Sequence, residues 1–185
     1  MKSVVKYLLA CAFALTIALP VLAAEDSLSD VLANLESPKE KTVFSALQEV
    51  EKQYPTDASA LAKVKGLLAD PREKIRRKAG RVLGAIHADV SDTDLKNISA
   101  MLSSQSKDEV LDALKSLRGL KAQSVVPQII PLLKNPDANI ERDSCRTLAV
   151  IGDKSVIPDI QPLTQSPEAA VVKDANDAIF ALKNK

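Results

Sequence analysis

Apolar residues recur along this chain at three- and four-residue intervals. Ile75, Ala79, Val82, Leu83 and Ile86 form one such stripe, Ile140, Ser144, Leu148 and Ile151 a second, and Val171, Ala175, Ile179 and Leu182 a third. An α-helix turns by about 100° per residue, so each stripe predicts an amphipathic helix with one face to bury. Small residues hold the middle of each stripe (Ala79, Ser144, Ala175 and, in the first unit, Ala46), which lets neighbouring helices come close. The pattern is itself periodic. The run SVVPQIIPL from Ser124 to Leu132 returns as SVIPDIQPL from Ser155 to Leu163, a shift of 31 residues.

A second element recurs between those copies. LADPREKI (Leu68 to Ile75) matches LKNPDANI (Leu133 to Ile140), and more loosely LESP (Leu35 to Pro38) and TQSPEAAV (Thr164 to Val171). Each sets Asp, Asn or Ser before Pro and then begins an apolar helical pattern. The expected reading is an N-cap followed by proline at the first helical position, where a missing N–H costs nothing. Helix starts are therefore predicted at Pro38, Pro71, Pro136 and Pro167, with a degenerate one near Ser106, at spacings of 33, 35, 30 and 31 residues. Five helix pairs follow, at about 27–54, 57–88, 91–121, 122–152 and 155–184. A lone pair cannot bury its apolar face, so the pairs should stack into one continuous core. Pro131 and Pro162 lie about one turn inside their first helices and should bend them.

On these residues the chain resembles the HEAT-repeat family. The polar-Pro element leads to an Ala-rich stripe, then to LGAI (Leu83 to Ile86) or LAVIGD (Leu148 to Asp153), then to the SV-x-P-x-I-x-PL run. The flavour is that of the short HEAT-like repeats also found in phycobilin lyases. The resemblance spans about residues 27–184 and is strongest in units two, four and five. It implies an all-α, right-handed α–α superhelix, a solenoid of about five HEAT-like helix pairs whose second helices line a concave, protein-binding face. It supplies no catalytic residues. The family's Arg after the buried Ile or Val is met by Arg76, while Leu111, Glu141 and Val172 stand there in other units.

Composition narrows the function classes. The 185 residues carry 25 Lys+Arg against 24 Asp+Glu, a net charge of +1, so no excess positive charge is available to displace phosphate counterions and nucleic acid is not an expected partner. Aromatic residues make up 3%, which leaves little for base stacking. One His, two Cys and five Gly offer no metal-ligand set, nucleophilic triad or phosphate-cradling loop, so neither catalysis nor a cofactor is expected.

The N-terminus reads as an address. Lys2 and Lys6 precede the uncharged run YLLACAFALTIAL (Tyr7 to Leu19), Pro20 breaks the helix, and small residues follow to Ala24. That is a secretory signal at about Met1 to Ala24, too short to span a bilayer. LLAC ending at Cys11 looks like a lipobox, but apolar chain continues well past the cysteine. The expected organisation is residues 1–24 as cleaved signal and 25–185 as one repeat domain, exported to a periplasm or secreted, without stable membrane insertion. Cleavage leaves 23 basic and 24 acidic side chains, a net charge of −1, and Cys145 as the remaining cysteine. One cysteine cannot form an internal disulfide, so packing alone must hold the fold, with Cys145 read as a small buried hydrophobe in preference to a free thiol.

Few side chains invite a chemical role. His87 ends a helix and is read as a surface or C-terminal cap residue. Asp174 and Asp177, one turn apart, are read as solvated surface. The second helix of unit two is strongly basic, and Lys74, Arg77, Lys78 and Arg81 fall together opposite the Ile75 stripe. Arg142 and Arg146 occupy the equivalent positions in unit four, Asp112 and Ser116 those in unit three, and Lys173 and Asp177 those in unit five. These six basic residues are the candidate binding residues, with two readings. One is a solvated face with compensating pairs such as Glu73–Arg77. The other is a docking surface for a protein with an acidic surface, since Arg is favoured at interfaces. Phe44 occupies the Arg77 position in unit one, with Val43 and Leu47 competing for that face; packing inward is slightly preferred for it. The sequence thus points to a monomeric interaction scaffold of a bacterial envelope. A lyase-like enzyme or subunit, or a binder of anionic envelope polymers, is the alternative.

Overall fold

The computed structural model describes residues 27–185; the signal-peptide reading, its cleavage site and the Cys11 lipobox lie outside the described residues. Among these residues are ten α-helices and no strand. They form five pairs: α1 (Leu28–Leu35) with α2 (Glu40–Gln53), α3 (Ala58–Gly66) with α4 (Glu73–Ala85), α5 (Asp92–Ala100) with α6 (Lys107–Gly119), α7 (Val126–Ile129) with α8 (Ala138–Ile151), and α9 (Ile157–Ile160) with α10 (Ala169–Lys183). The stack is an all-α solenoid, and the five pair boundaries predicted from periodicity agree with it to within a few residues.

Where the second helices start differs from the expectation. The polar residue before each proline does not cap the helix, and the proline is not its first residue. Instead Ser37, Asp70, Ser104, Asn135 and Ser166 each accept a hydrogen bond from the backbone N–H two residues on, at 3.2, 2.8, 3.1, 2.9 and 3.3 Å. This is the side-chain-mimicked turn typical of Asn, Asp and Ser. The helices begin after it, with Lys39, Arg72, Ser106, Asp137 and Glu168 as N-caps. The repeated element is a turn that aims the second helix. It survives in unit three because Ser104 keeps the side-chain acceptor although Gln105 replaces proline.

Proline also explains the short first helices of units four and five. Pro131 and Pro162 have no N–H to donate to the carbonyl four residues back. The α-helices end at Ile129 and Ile160, and the chain continues as tighter 3₁₀ turns over Ile130–Lys134 and Gln161–Gln165. The helix is tightened at proline, not abolished.

The predicted stripes are the core. Ile75, Ala79, Val82 and Leu83 are fully buried, as are Ser144, Leu148, Ala175 and Leu182, within one cluster running from Val31 to Leu182. Cys145 is fully buried as well, and burial pushes its thiol pKa up to about 12. The tightest contact is carried by residues the stripes did not single out. A Cβ built on Gly119 would lie 2.3 Å from the carbonyl oxygen of Gly84, and one on Gly84 would lie 2.8 Å from the backbone of Ser116. Helices α4 and α6 therefore touch backbone to backbone, which only glycine permits.

Two helices end on non-glycine residues in the left-handed region, His87 at φ 51° and Lys121 at φ 52°. In both, the next N–H bonds back five residues (Ala88 to Leu83 at 3.0 Å, Ala122 to Leu117 at 3.1 Å), closing the last turn. The His87 Nδ1 also lies 2.7 Å from the carbonyl oxygen of Gly119, so its side chain ties one repeat's end to the next.

Candidate functional site

The second helices pack on one another more extensively than the first helices do. Their row is the shorter one, and the stack curves towards it. The residues opposite the buried stripes of α2, α4, α6, α8 and α10 consequently share one concave face.

On that face α2 and α4 enclose a groove of about 440 Å³. Lys74, Arg77, Lys78 and Arg81 line it from α4, Phe44 and Glu51 from α2, and Asp112 from α6. Four of the six predicted basic residues thus come together. They lie at i, i+3, i+4 and i+7 of one helix, so a single face carries all four. Phe44 faces the groove and is 38% exposed, while Val43 and Leu47 are fully buried. The expectation that Phe44 packs inward is corrected: with both neighbours in the core, the ring is left on the groove side. Lys78 Nζ sits 5.8 Å from its centroid, within reach of a cation–π attraction.

The cations differ in how far they are committed. Arg77 lies 2.8 Å from Asp112, 3.2 Å from Asp108 and 3.3 Å from Glu73, and its side chain is only 22% exposed. Burial alone would lower its pKa, but these carboxylates outweigh it and hold the guanidinium protonated. Lys78 pairs with Glu51 at 2.6 Å. Arg81 meets Asp112 at 3.1 Å through Nη1. Lys74 is the freest, 70% exposed and 3.5 Å from Glu40. Asp112, read as an acidic interruption between basic units, is the shared partner of Arg77 and Arg81.

Arg142 and Arg146 do not join this groove. Both reach Asp174 of α10, at 2.7 and 2.9 Å, and Arg146 also lies 3.6 Å from Asp143. Asp174 is only 5% exposed, so its reading as solvated surface is corrected. Burial pushes its carboxyl pKa up, but the hydrogen bonds from Arg142 and Arg146 outweigh that and hold it below the usual carboxylate value. Asp177 is exposed as expected, paired with Lys173 at 2.6 Å. One side chain had no place in the functional reading. Arg76 clamps Glu109 of the next repeat at 2.7 and 2.9 Å and reaches the carbonyl oxygens of Asp70 and Pro71, both at 3.0 Å. In unit four Glu141 stands at the Arg76 position, and burial raises its carboxyl pKa.

Residues 95–182 match the family model for HEAT repeats. The repeats of this chain are HEAT-like. A chain in the complex of CpcE and CpcF of phycocyanin lyase from Nostoc sp. PCC7120 is similar in fold, with a TM-score of 0.71 at 22% identity over 84% of this chain and 64% of that one. The HEAT-like chain therefore spans less than two thirds of that neighbour's length. A computationally designed armadillo repeat protein for modular peptide recognition gives a TM-score of 0.65 at 17% identity, covering 84% of this chain and 82% of that one. A designed armadillo repeat protein in complex with the peptide (KR)4 gives 0.67 at 15% identity, covering 84% and 81%. Identities this low establish a shared fold. No curated protein matches the chain.

Proposed function

We propose that this HEAT-like solenoid is a non-enzymatic interaction scaffold, exported to a bacterial cell envelope, that binds another protein through its concave face. One observation carries the reading. The face gathers an exposed aromatic ring and several cations over a groove, although the chain has only three Phe and a near-neutral charge. Large side chains of these two types are what protein interfaces concentrate. The designed armadillo protein solved with a peptide supports the reading at the level of fold, since a stack of this kind has held a peptide there. Export rests on the N-terminal pattern of Lys2, Lys6, the apolar run to Leu19 and the small residues to Ala24.

Photo-crosslinkers placed singly on the concave face (Gln48, Lys115) and on the outward side of first helices (Lys65, Lys96) test the scaffold in cells. Adducts to one protein from concave positions alone are expected, on a chain that begins at or near Glu25 by mass spectrometry. Adducts confined to the outward positions, or a chain retaining Met1, would overturn the corresponding half of the proposal. The lyase-like alternative is favoured by the phycocyanin lyase neighbour. It predicts a visible absorbance change when a linear tetrapyrrole is added to the purified chain, and the scaffold reading predicts none.

A further inference from the structure

The two basic clusters on the concave face are chemically unlike, and only one is built to receive a ligand. We infer that the groove between α2 and α4 binds an extended acidic segment of a partner protein, with an apolar side chain of that segment set on Phe44. The inference rests on the concave-face scaffold reading and narrows it to one partner chemistry. Arg142 and Arg146 are assigned to the fold instead.

Within the groove the lining cations outnumber the lining carboxylates, Glu51 and Asp112. Arg77 is neutralised by three carboxylates and held between helices, so it acts as a wall. The available donors are at the two ends of the α4 stripe. Lys74 projects into solvent, held only by a 3.5 Å pair to the equally surface-exposed Glu40, and an exposed pair of this kind is worth little. Arg81 is 46% exposed and engages Asp112 through one terminal nitrogen, which leaves guanidinium donors facing outward. Between these ends lies the Phe44 ring with Lys78 against it.

The spacing selects the shape of the occupant. Lys74 and Arg81 are seven residues apart, about 10.5 Å along a helix rising ~1.5 Å per residue. A polyproline-type segment has three residues per turn and rises ~3.1 Å per residue, so acidic residues three apart share a side at about 9 Å. Such a segment can place one carboxylate at each end of the stripe and an intervening apolar side chain on the ring. The Arg142 pair offers no comparable arrangement. Both guanidiniums converge on one buried carboxylate, Asp174, and Arg146 is shared with Asp143 as well. A cation whose charge is already matched by a buried partner gains little by meeting a second anion.

The test is fluorescence anisotropy on the purified chain with a labelled (Glu-Leu-Pro)4 peptide, alongside (Gln-Leu-Pro)4 and (Glu-Ser-Pro)4 controls and inorganic polyphosphate as competitor. Binding of the first peptide is expected to exceed that of either control by roughly ten-fold, as removal of paired charge or of an anchor contact at an interface does. The double variant Lys74→Ala/Arg81→Ala should weaken it by roughly ten-fold and Phe44→Ala by several-fold, whereas Arg142→Gln/Arg146→Gln should leave it within about two-fold. Circular dichroism of each variant separates lost binding from lost folding. Equal binding of the Glu and Gln peptides overturns the inference. So does competition by polyphosphate that is indifferent to Phe44→Ala, or an Arg142/Arg146 variant as weak as the Lys74/Arg81 one. If the peptides fail while concave-face crosslinks in cells persist, this inference falls and the scaffold stands; if those crosslinks are missing, the scaffold reading itself falls.

Discussion

Replacing Gly119 with Ala adds a single methyl group at the closest approach of two helices. Its Cβ would lie 2.3 Å from the Gly84 carbonyl oxygen and 2.7 Å from the carbonyl carbon. Ordinary carbon–oxygen contacts lie at about 3.3 Å or more, so α4 and α6 must separate by roughly 1 Å. The obstacle is backbone, and no rotamer change can relieve it. Overpacking of this kind costs about 1–3 kcal/mol, and a gap approaching 1 Å also forfeits a quarter to a half of each dispersion contact across the interface. Alanine regains up to ~1 kcal/mol of helix propensity over glycine, so the net loss is expected near 2 kcal/mol. For a domain of this size that lowers Tm by about 4–8 °C. Gly66→Ala is the matched control. Nothing lies within 4 Å of its added Cβ, so the same chemical change should stabilise by up to about 1 kcal/mol. Urea and thermal unfolding followed by circular dichroism read both variants. Hydrogen exchange at α4 and α6 amides shows whether the loss is local, as nearest-neighbour coupling in a stack predicts. A Gly119→Ala protein as stable as Gly66→Ala would refute the backbone-contact argument.

Three further outcomes follow from the same geometry. Lys121→Gly should raise stability by about 0.5–1 kcal/mol in urea titrations, because position 121 is held at φ 52° and no side-chain contact is lost; a destabilised variant would contradict the C-cap assignment. Asp174→Asn should cost about 2 kcal/mol at neutral pH by removing charged hydrogen bonds from Arg142 and Arg146. Because the folded carboxyl is held below its ordinary value of 3.8, its contribution is complete above that pH and is lost as pH falls through the lower folded pKa. Stability measured from about pH 5 to pH 2 should therefore fall less steeply in the variant, and parallel curves would refute the pairing. Cys145, fully buried with its thiol pKa at about 12, should resist iodoacetamide in the native protein and react promptly in urea; rapid native labelling would show the thiol to be open.

The number of helix pairs, their boundaries and the identity of the core residues were legible in the sequence. Those features depend on local spacing, and a residue such as Ile75 or Leu148 is buried because every apolar neighbour on its stripe is buried with it. The polar-Pro element was visible too, yet its role was misplaced by two residues. An Asp or Ser before proline satisfies either a helix cap or a turn, and only the hydrogen bond from the second following N–H distinguishes them.

What the tertiary structure alone decided concerns pairs of residues about one repeat apart. Arg77 and Asp112 are 35 residues apart, and Arg142 and Asp174 are 32 apart, so whether they meet depends on how one helix is offset against the next. The same offset brings Gly119 onto Gly84, which no stripe marks because glycine contributes nothing to an apolar pattern. It also turns Asp174 from apparent surface into a buried partner and leaves Phe44 on the groove while Val43 and Leu47 take the core. Helical periodicity states which face of each helix is buried. The rotation and translation between stacked helices are set by close packing across the interface, and that offset decides which charges are matched and which are left open for a ligand.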